Sequence, residues 1–391
     1  MRQPPSDHGR NSARLTTAVA IAALSAWLLF AVGGAFGQAE APAGPGGGIP
    51  CEWAASTQLN AQQTSAIREF VSRNIGKLAE EDRPAREAAR EALLMPLTRC
   101  TGISLAFRIE YSAALSQGGI VRLATHSDDN LAVSALMIAG HTATDAMVEA
   151  IKLGLKDGRP AVRMGAAVAS RVMIRDISIE GGQVRRTAAA AVIDACTEAL
   201  AIEEDALVAS GLVVALDSPV SGSDVRLEAI LKLSGSLSKQ GKGLRAKDLG
   251  NDGAAWATAL LRGAEAVRRT LIERGGQGSN QELARSAAIL SGQALAHALS
   301  RLNASDASAL AASGEAEALA ALVQSAEFTL KFAEGEMSGP GAGGAPALLP
   351  AFQSAVQSGD PGPFKAEADR WIAAGGKLTK PPFGATPGDF E

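Results

Sequence analysis

The chain has 391 residues, 37 basic and 41 acidic side chains for a formal net charge of −4, 47% hydrophobic residues and only 4% aromatic ones. Its arginines are spread among Glu and Asp and form no clustered basic face, so counterion release onto a nucleic-acid backbone is excluded as its mode of binding. With so few aromatic side chains, any core must be assembled from many small contacts.

Arg2, Arg10 and Arg14 precede an uncharged run from Leu15 to Ala39. A basic start, an apolar run and a small-residue end, with Ala35 and Gly37 at the minus-three and minus-one positions before Gln38, form the pattern of an export signal over residues 1–37. About 20 apolar residues would also suffice for an uncleaved membrane anchor over residues 15–37. Gly33-Gly34 and the small-residue end favour cleavage. Gly48-Ile49-Pro50 lacks the Leu and small residues of a lipidation box before Cys51. Removing Met1 to Gly37 takes away three arginines and one aspartate and leaves a formal −6. An oxidising compartment permits pairing of Cys51 with Cys100, while Cys196, inside VIDACTEAL, reads as a small apolar core residue; three free thiols are the alternative.

Residues 38–50 are a Pro- and Gly-rich linker, and residues 51–237 then read as helix after helix. Ile67, Phe70, Val71, Ile75 and Leu78 make one stripe; Asp82 and Pro84 open the next helix through Leu94, which Pro96 ends. Ile103 to Tyr111 alternates like a strand, but Ala113, Ala114 and Leu115 continue it at helical spacing, so helix is expected. Further helices are expected near Asn130–Ala139, Thr144–Leu155, Pro160–Ile174, Val184–Leu200, Glu204–Leu216 and Asp224–Leu237. The short connections make them antiparallel pairs that must stack to bury their faces.

The segment Asp157 to Arg171, DGRPAVRMGAAVASR, carries the most information. Asp157 and Gly158 can cap a helix, Pro160 suits its first turn, and Val162, Ala166, Ala169 and Met173 fall on one apolar stripe. A Val-Arg pair with Ala four residues after the Val returns at Val184 to Ala188 and Val225 to Ala229, 41 residues apart, within the ~40–47 residue period of HEAT and armadillo arrays. Over Asp128 to about Leu233 the chain resembles the HEAT-repeat (armadillo-like) helical solenoid family. That resemblance implies an all-α solenoid of stacked antiparallel helix pairs, and a scaffold that binds partners rather than an enzyme.

Residues 238–253, SKQGKGLRAKDLGNDG from Ser238, read as a polar connecting loop. Its glycines and lysine have the wrong spacing for a phosphate loop. Residues 254–334 read as a further helical array, with Trp256, Leu260, Val267 and Leu271 on one face and Ser279 with Glu282 as a capping box. Over residues 335–391, Ser338 to Pro346 is a flexible linker, a short helix is expected near Phe364 to Ile372, and the Pro/Gly tail from Gly375 to Glu391 is expected to be disordered.

Groups able to support chemistry are sparse. His126, Asp128, Asp129 and His141, with Asp145 beyond, have metal-ligand character and could converge at one end of a helical pair. Against that, Asp128 or Asp129 and Thr142 or Thr144 are the residue types that cap helices, and the histidines lack a zinc motif's spacing. His297 reads as a core histidine making one hydrogen bond. Asp194, Glu198, Glu203, Glu204 and Asp205 read as a solvated acidic helix end rather than a general acid and base. Arg163, Arg185 and Arg226 recur at one place in their helices, either lining a groove for an anionic partner or, as expected here, pairing with Asp157, Asp194 and Asp224. No catalytic residue, cofactor site or metal site is assigned. The expectation is an exported, periplasmic or secreted, non-catalytic scaffold for a protein partner or envelope component. The alternative is an envelope enzyme or accessory subunit with a site near His126–His141.

Overall fold

The computed structural model describes residues 48–179, 186–221, 223–275, 280–339 and 347–391. The export segment, the linker up to Gly47, the Val184-Arg185 repeat start, Ser279 of the expected capping box and residues 340–346 lie outside the described residues.

Among the described residues there is helix and no strand. The α-helices in chain order are α1 (Cys51–Ala55), α2 (Ala61–Leu78), α3 (Arg83–Thr98), α4 (Leu105–Gln117), α5 (Ile120–Leu123), α6 (Asp129–Thr142), α7 (Asp145–Leu155), α8 (Pro160–Ser178), α9 (Arg186–Ile202), α10 (Ala206–Leu216), α11 (Asp224–Arg245), α12 (Gly253–Glu273), α13 (Gln281–Ala304), α14 (Ala307–Ala312), α15 (Glu315–Ser338), α16 (Leu348–Ser358) and α17 (Gly362–Ile372). They sort into two layers. In one, α6, α8, α10, α12 and α15 each pack on the next; in the other, α7, α9, α11, α13 and α17 do the same. Contacts between helices two apart in sequence, alongside those between chain neighbours, are the pattern of a stacked helical solenoid.

Ordinary capping chemistry starts many of these helices. The Asn60 side chain accepts from Gln63 N and Gln63 answers in a capping box; Asp82, Ser104, Asp128, Asp205 and Ser223 accept amide hydrogen bonds at the heads of their helices. Asp157 works one step earlier than expected. The N-cap of α8 is Arg159, and Asp157 accepts from the Arg159 amide at 2.8 Å. Pro96 sits inside the last turn of α3, which runs on to Thr98. Pro96 lacks the amide that would bond Ala92 O, and the helix closes two residues later.

Val162, Ala166, Ala169 and Met173 are all fully buried between layers, as are Ala188 and Ala229. Small residues let the layers approach closely. At Gly140 of α6 a Cβ would lie 2.6 Å from the Ala169 carbonyl oxygen of α8, so this crossing admits only glycine. Val225 is only half-buried, packed at the edge of the core, and its neighbour Arg226 takes the inward place.

Two segments differ from their expected state. The polar stretch from Ser238 is helical to Arg245, because Leu237, Gln240, Gly241 and Leu244 continue the buried stripe of α11 and Gln240 Nε2 donates to Glu203 O. Tertiary packing outweighs the helix cost of its two glycines, about 2 kcal/mol. The remaining connection holds a 3₁₀ turn, Gly250–Asp252. The second difference is the tail: α16 and α17 form a helical hairpin, and the chain beyond it buries Leu378, Phe383, Ala385 and Phe390. Isolated apolar anchors in a Pro/Gly sequence carry no periodicity, which is why the tail read as disordered.

Cys51 and Cys100 form a disulfide with Cα atoms 5.2 Å apart, tying α1 to the end of α3, and Cys196 is buried and free. No helix among the described residues is long and apolar enough to cross a membrane.

Candidate interaction surface

One edge of the stack carries the connections α7–α8, α9–α10 and α11–α12. Two hollows lie along it. The first, about 380 Å³, is lined by Lys152, Leu155 and Lys156 at the end of α7 and by Glu198, Ile202 and Glu203 at the end of α9. The second, about 340 Å³, is lined by Leu244, Lys247, Asp248, Asp252 and Trp256. Glu204 lines both, so the two adjoin at its side chain, a two-part trough running from the end of α7 to the head of α12. Two large apolar side chains of this connection are exposed, Ile202 in the lining of the first hollow at 79% and Leu207 in the first turn of α10 at 63%.

The acidic run that flanks them is no uniformly solvated cap. Glu203 is only 5% exposed. Arg163 grips it with two bonds, Nη2 to Oε1 at 2.7 Å and Nε to Oε2 at 2.9 Å, and the same Oε1 accepts the amides of Glu204 and Asp205. The hydrogen bonds that Arg163 donates to the Glu203 carboxylate raise the pKa of Arg163. Glu204 pairs with Lys247 at 3.1 Å and Asp194 with Lys232 at 2.6 Å. Lys152 and Lys156 have no ion pair among the described residues, and neither do Asp248 and Asp252 at the other end. Two lysines without an ion pair therefore stand at the α7 end and two such aspartates at the α12 end, with Ile202, the Arg163–Glu203 pair and the Glu204–Lys247 pair between.

The arginine ladder exists with other partners. Arg163 takes Glu203 rather than Asp157, which is held by Arg159; Arg226 takes Asp217, with Glu273 and the Thr270 hydroxyl beside it; Asp224 pairs with Arg186. Arg185 lies outside the described residues. The sequence reading missed Arg159, whose guanidinium also bonds Asp129 and the carbonyls of His126 and Ser127. Its place directly before Pro160 at a helix head was the available signal.

The His126–His141 group does not converge. His126 precedes α6 and its Nδ1 accepts from the Asp128 amide at 3.0 Å, whereas His141 lies in the last turn of the same helix. At 1.5 Å rise per residue the two are about 20 Å apart. Asp128 caps α6 and pairs with Arg86, whose hydrogen bond lowers the Asp128 pKa. His141 is held below its ordinary range by burial, with Arg108 donating to the His141 and Thr142 carbonyls at 2.9 Å. The Thr187 hydroxyl bonds Asp145 across the layer. Neither Thr142 nor Thr144 caps a helix with its side chain; Thr142 bonds back to Ile138 O. No cluster of three or more His, Cys, Asp or Glu among the described residues could hold a metal.

His297 is fully buried on α13, as expected, but neither ring nitrogen has the expected hydrogen bond. Desolvation first, then Arg301 and Arg245, push its pKa down to about 3. One turn on, Arg301 and Glu315 form a buried ion pair at 2.6 Å that joins α13 to the first turn of α15. No protein-family model, curated protein or solved structure matches the chain.

Proposed function

We propose that this chain is an exported, non-catalytic helical-repeat scaffold of the HEAT/armadillo kind, which binds another protein or envelope component through the trough between α7 and α12. The observation that carries this reading is the exposed Ile202 in the lining of the first hollow, with the exposed Leu207 five residues on at the head of α10. Exposed large apolar side chains ringed by charge are the usual composition of a docking site. Export is supported by the Leu15–Ala39 run and by the Cys51–Cys100 disulfide, which an oxidising compartment would maintain. Each helix pair supplies one stretch of the trough, so a partner segment crossing it would be read by three repeats in succession.

Photo-crosslinking residues placed singly at Ile202, Leu207 and, as an exposed control on a distant helix, Ile109 test this in the native envelope. Discrete adducts at 202 and 207 and none at 109 are expected. Adducts of equal yield at all three, or only at 109, would overturn the trough as the docking site.

A further inference from the structure

The two-part trough carries a charge order that no contact inside the chain satisfies. At the end of α7, Lys152 and Lys156 reach no carboxylate among the described residues, while Arg163 in the same hollow is taken up by Glu203. At the head of α12, Asp248 accepts the Gly250 amide at 3.1 Å and Asp252 makes no side-chain bond to the helix it precedes; neither reaches a cation among the described residues. Glu204, where the hollows adjoin, is matched by Lys247 at 3.1 Å. Glu198, one turn before Ile202 on α9, is the one further acid of the first hollow without an ion pair among the described residues. Leu155, Ala195, Ala199 and the exposed Ile202 make the rest of that hollow apolar.

Geometry sets the form of an occupant. Neighbouring helices in a layer pack about 8–10 Å apart, so the two steps from α7 through α9 to α11 put the lysines about 20 Å from the aspartates. A helix spanning that distance displaces roughly 1,600 Å³, more than twice what hollows of about 380 and 340 Å³ can take. An extended chain is one residue wide and covers the distance in about six steps of about 3.3 Å. Its side chains alternate between two faces, so residues an even number of positions apart look the same way. An acid and a base six positions apart therefore both face the trough and reach its two ends. An apolar residue two or four positions along from the acid faces the stretch beside Ile202.

We propose, on the reading of the trough as the docking site, that its occupant is an extended segment of a partner protein with an acid and a base six positions apart and an apolar residue on the same face between them. The acid lies on Lys152 and Lys156, the apolar side chain packs on Ile202, and the base lies on Asp248 and Asp252. Either chain direction meets these demands, so either order of acid and base along the segment fits. A segment of one sign would meet repulsion at one end of the trough, which is how charge order selects a partner.

A phage-displayed library of random linear dodecapeptides, selected on the full chain, tests this. Enriched peptides should carry an acid and a base six positions apart with a large apolar residue at an even position between them. Selection on Lys152→Glu with Lys156→Glu should drop the acid, and selection on Asp248→Lys with Asp252→Lys should drop the base; none of these four side chains is buried, so the reversed chains keep the fold. By fluorescence anisotropy, a synthetic copy of the most enriched peptide should bind either reversed chain at least about tenfold more weakly, because attraction at one end becomes repulsion. A copy with its acid and base five positions apart should lose about as much, because one of them then faces outward. Peptides that lose binding to Ile202→Asp yet carry no such pair would overturn the proposal and leave the trough as the docking site. Peptides that bind Ile202→Asp as tightly as the unaltered chain would remove the trough itself and the proposal with it. No enrichment, or an affinity that neither reversal moves, would also overturn it.

Discussion

Arg163 and Glu203, 40 residues apart in the chain, meet through two charge-assisted bonds of 2.7 and 2.9 Å, and Glu203 also accepts both amides that lead into α10. One carboxylate therefore fastens α8 to the α9–α10 connection and lines the first hollow. Removing one partner leaves the other under-solvated, which costs about 3–5 kcal/mol for fully buried pairs; Arg163 keeps some solvent contact, so about 2–4 kcal/mol is expected for Glu203→Ala. Glu203→Gln keeps an acceptor for the amides and should cost less. Urea unfolding of the two variants checks the order.

His297 makes the fold acid-sensitive. Its folded pKa is near 3 against an ordinary 6.5, so the unfolded chain binds the extra proton between these values. Stability should rise with pH through that window, by at most about 1.4 kcal/mol per unit, and level off above 6.5. His297→Leu, similar in volume, should flatten the contribution. The difference between the two chains in urea midpoint, measured at pH 4 and at pH 7, isolates it from other titrating groups. A difference that is the same at both pH values would contradict the assignment.

The Cys51–Cys100 bridge closes a loop with a sequence separation of 49 residues. In the chain-entropy picture such a loop is worth about 4 kcal/mol. Cys51→Ser with Cys100→Ser should lower stability by up to that amount and loosen α1 to α4 first. Limited proteolysis that begins between α1 and α4 would agree; cleavage that begins near α13 would not.

Intact mass of the mature species reads the export proposal. A chain beginning at Gln38 is expected, and Leu15 to Val32 peptides in the mature species would instead indicate a retained anchor.

How far the sequence could be read depended on periodicity. Val162, Ala166, Ala169 and Met173 announced α8 and its buried face because a helix repeats its pattern every turn, and Ala113, Ala114 and Leu115 resolved the Ile103–Tyr111 ambiguity towards α4. Non-local events carried no such signal. Glu203 looked like any acidic helix end until α8 placed Arg163 over it, and Gly241 is helical because α13 packs against it, with Gln293 Cβ 3.6 Å from where its own Cβ would stand. His126 and His141 looked close in sequence, yet one intact helix separates them. The tail failed for the same reason: Phe383 and Phe390 are anchors only because α11 and α13 offer the surface. Of the candidate surface, the acidic residues were legible and the exposed Ile202–Leu207 pair was not, since exposure is a property of the assembled edge.

The most direct measurement is hydrogen exchange, helix by helix, on Val162→Asp beside Val162→Ala. Val162 is fully buried in α8. The alanine leaves a small cavity worth about 1–2 kcal/mol, and the aspartate buries a carboxylate at a cost of several. In a stack of nearest-neighbour pairs, Val162→Asp should strip protection from α6 to α10 while α13 and α15 keep theirs, and Val162→Ala should do so only weakly. Uniform loss of protection from α2 to α17, or an Asp chain as protected as the unaltered one, would contradict the repeat stack.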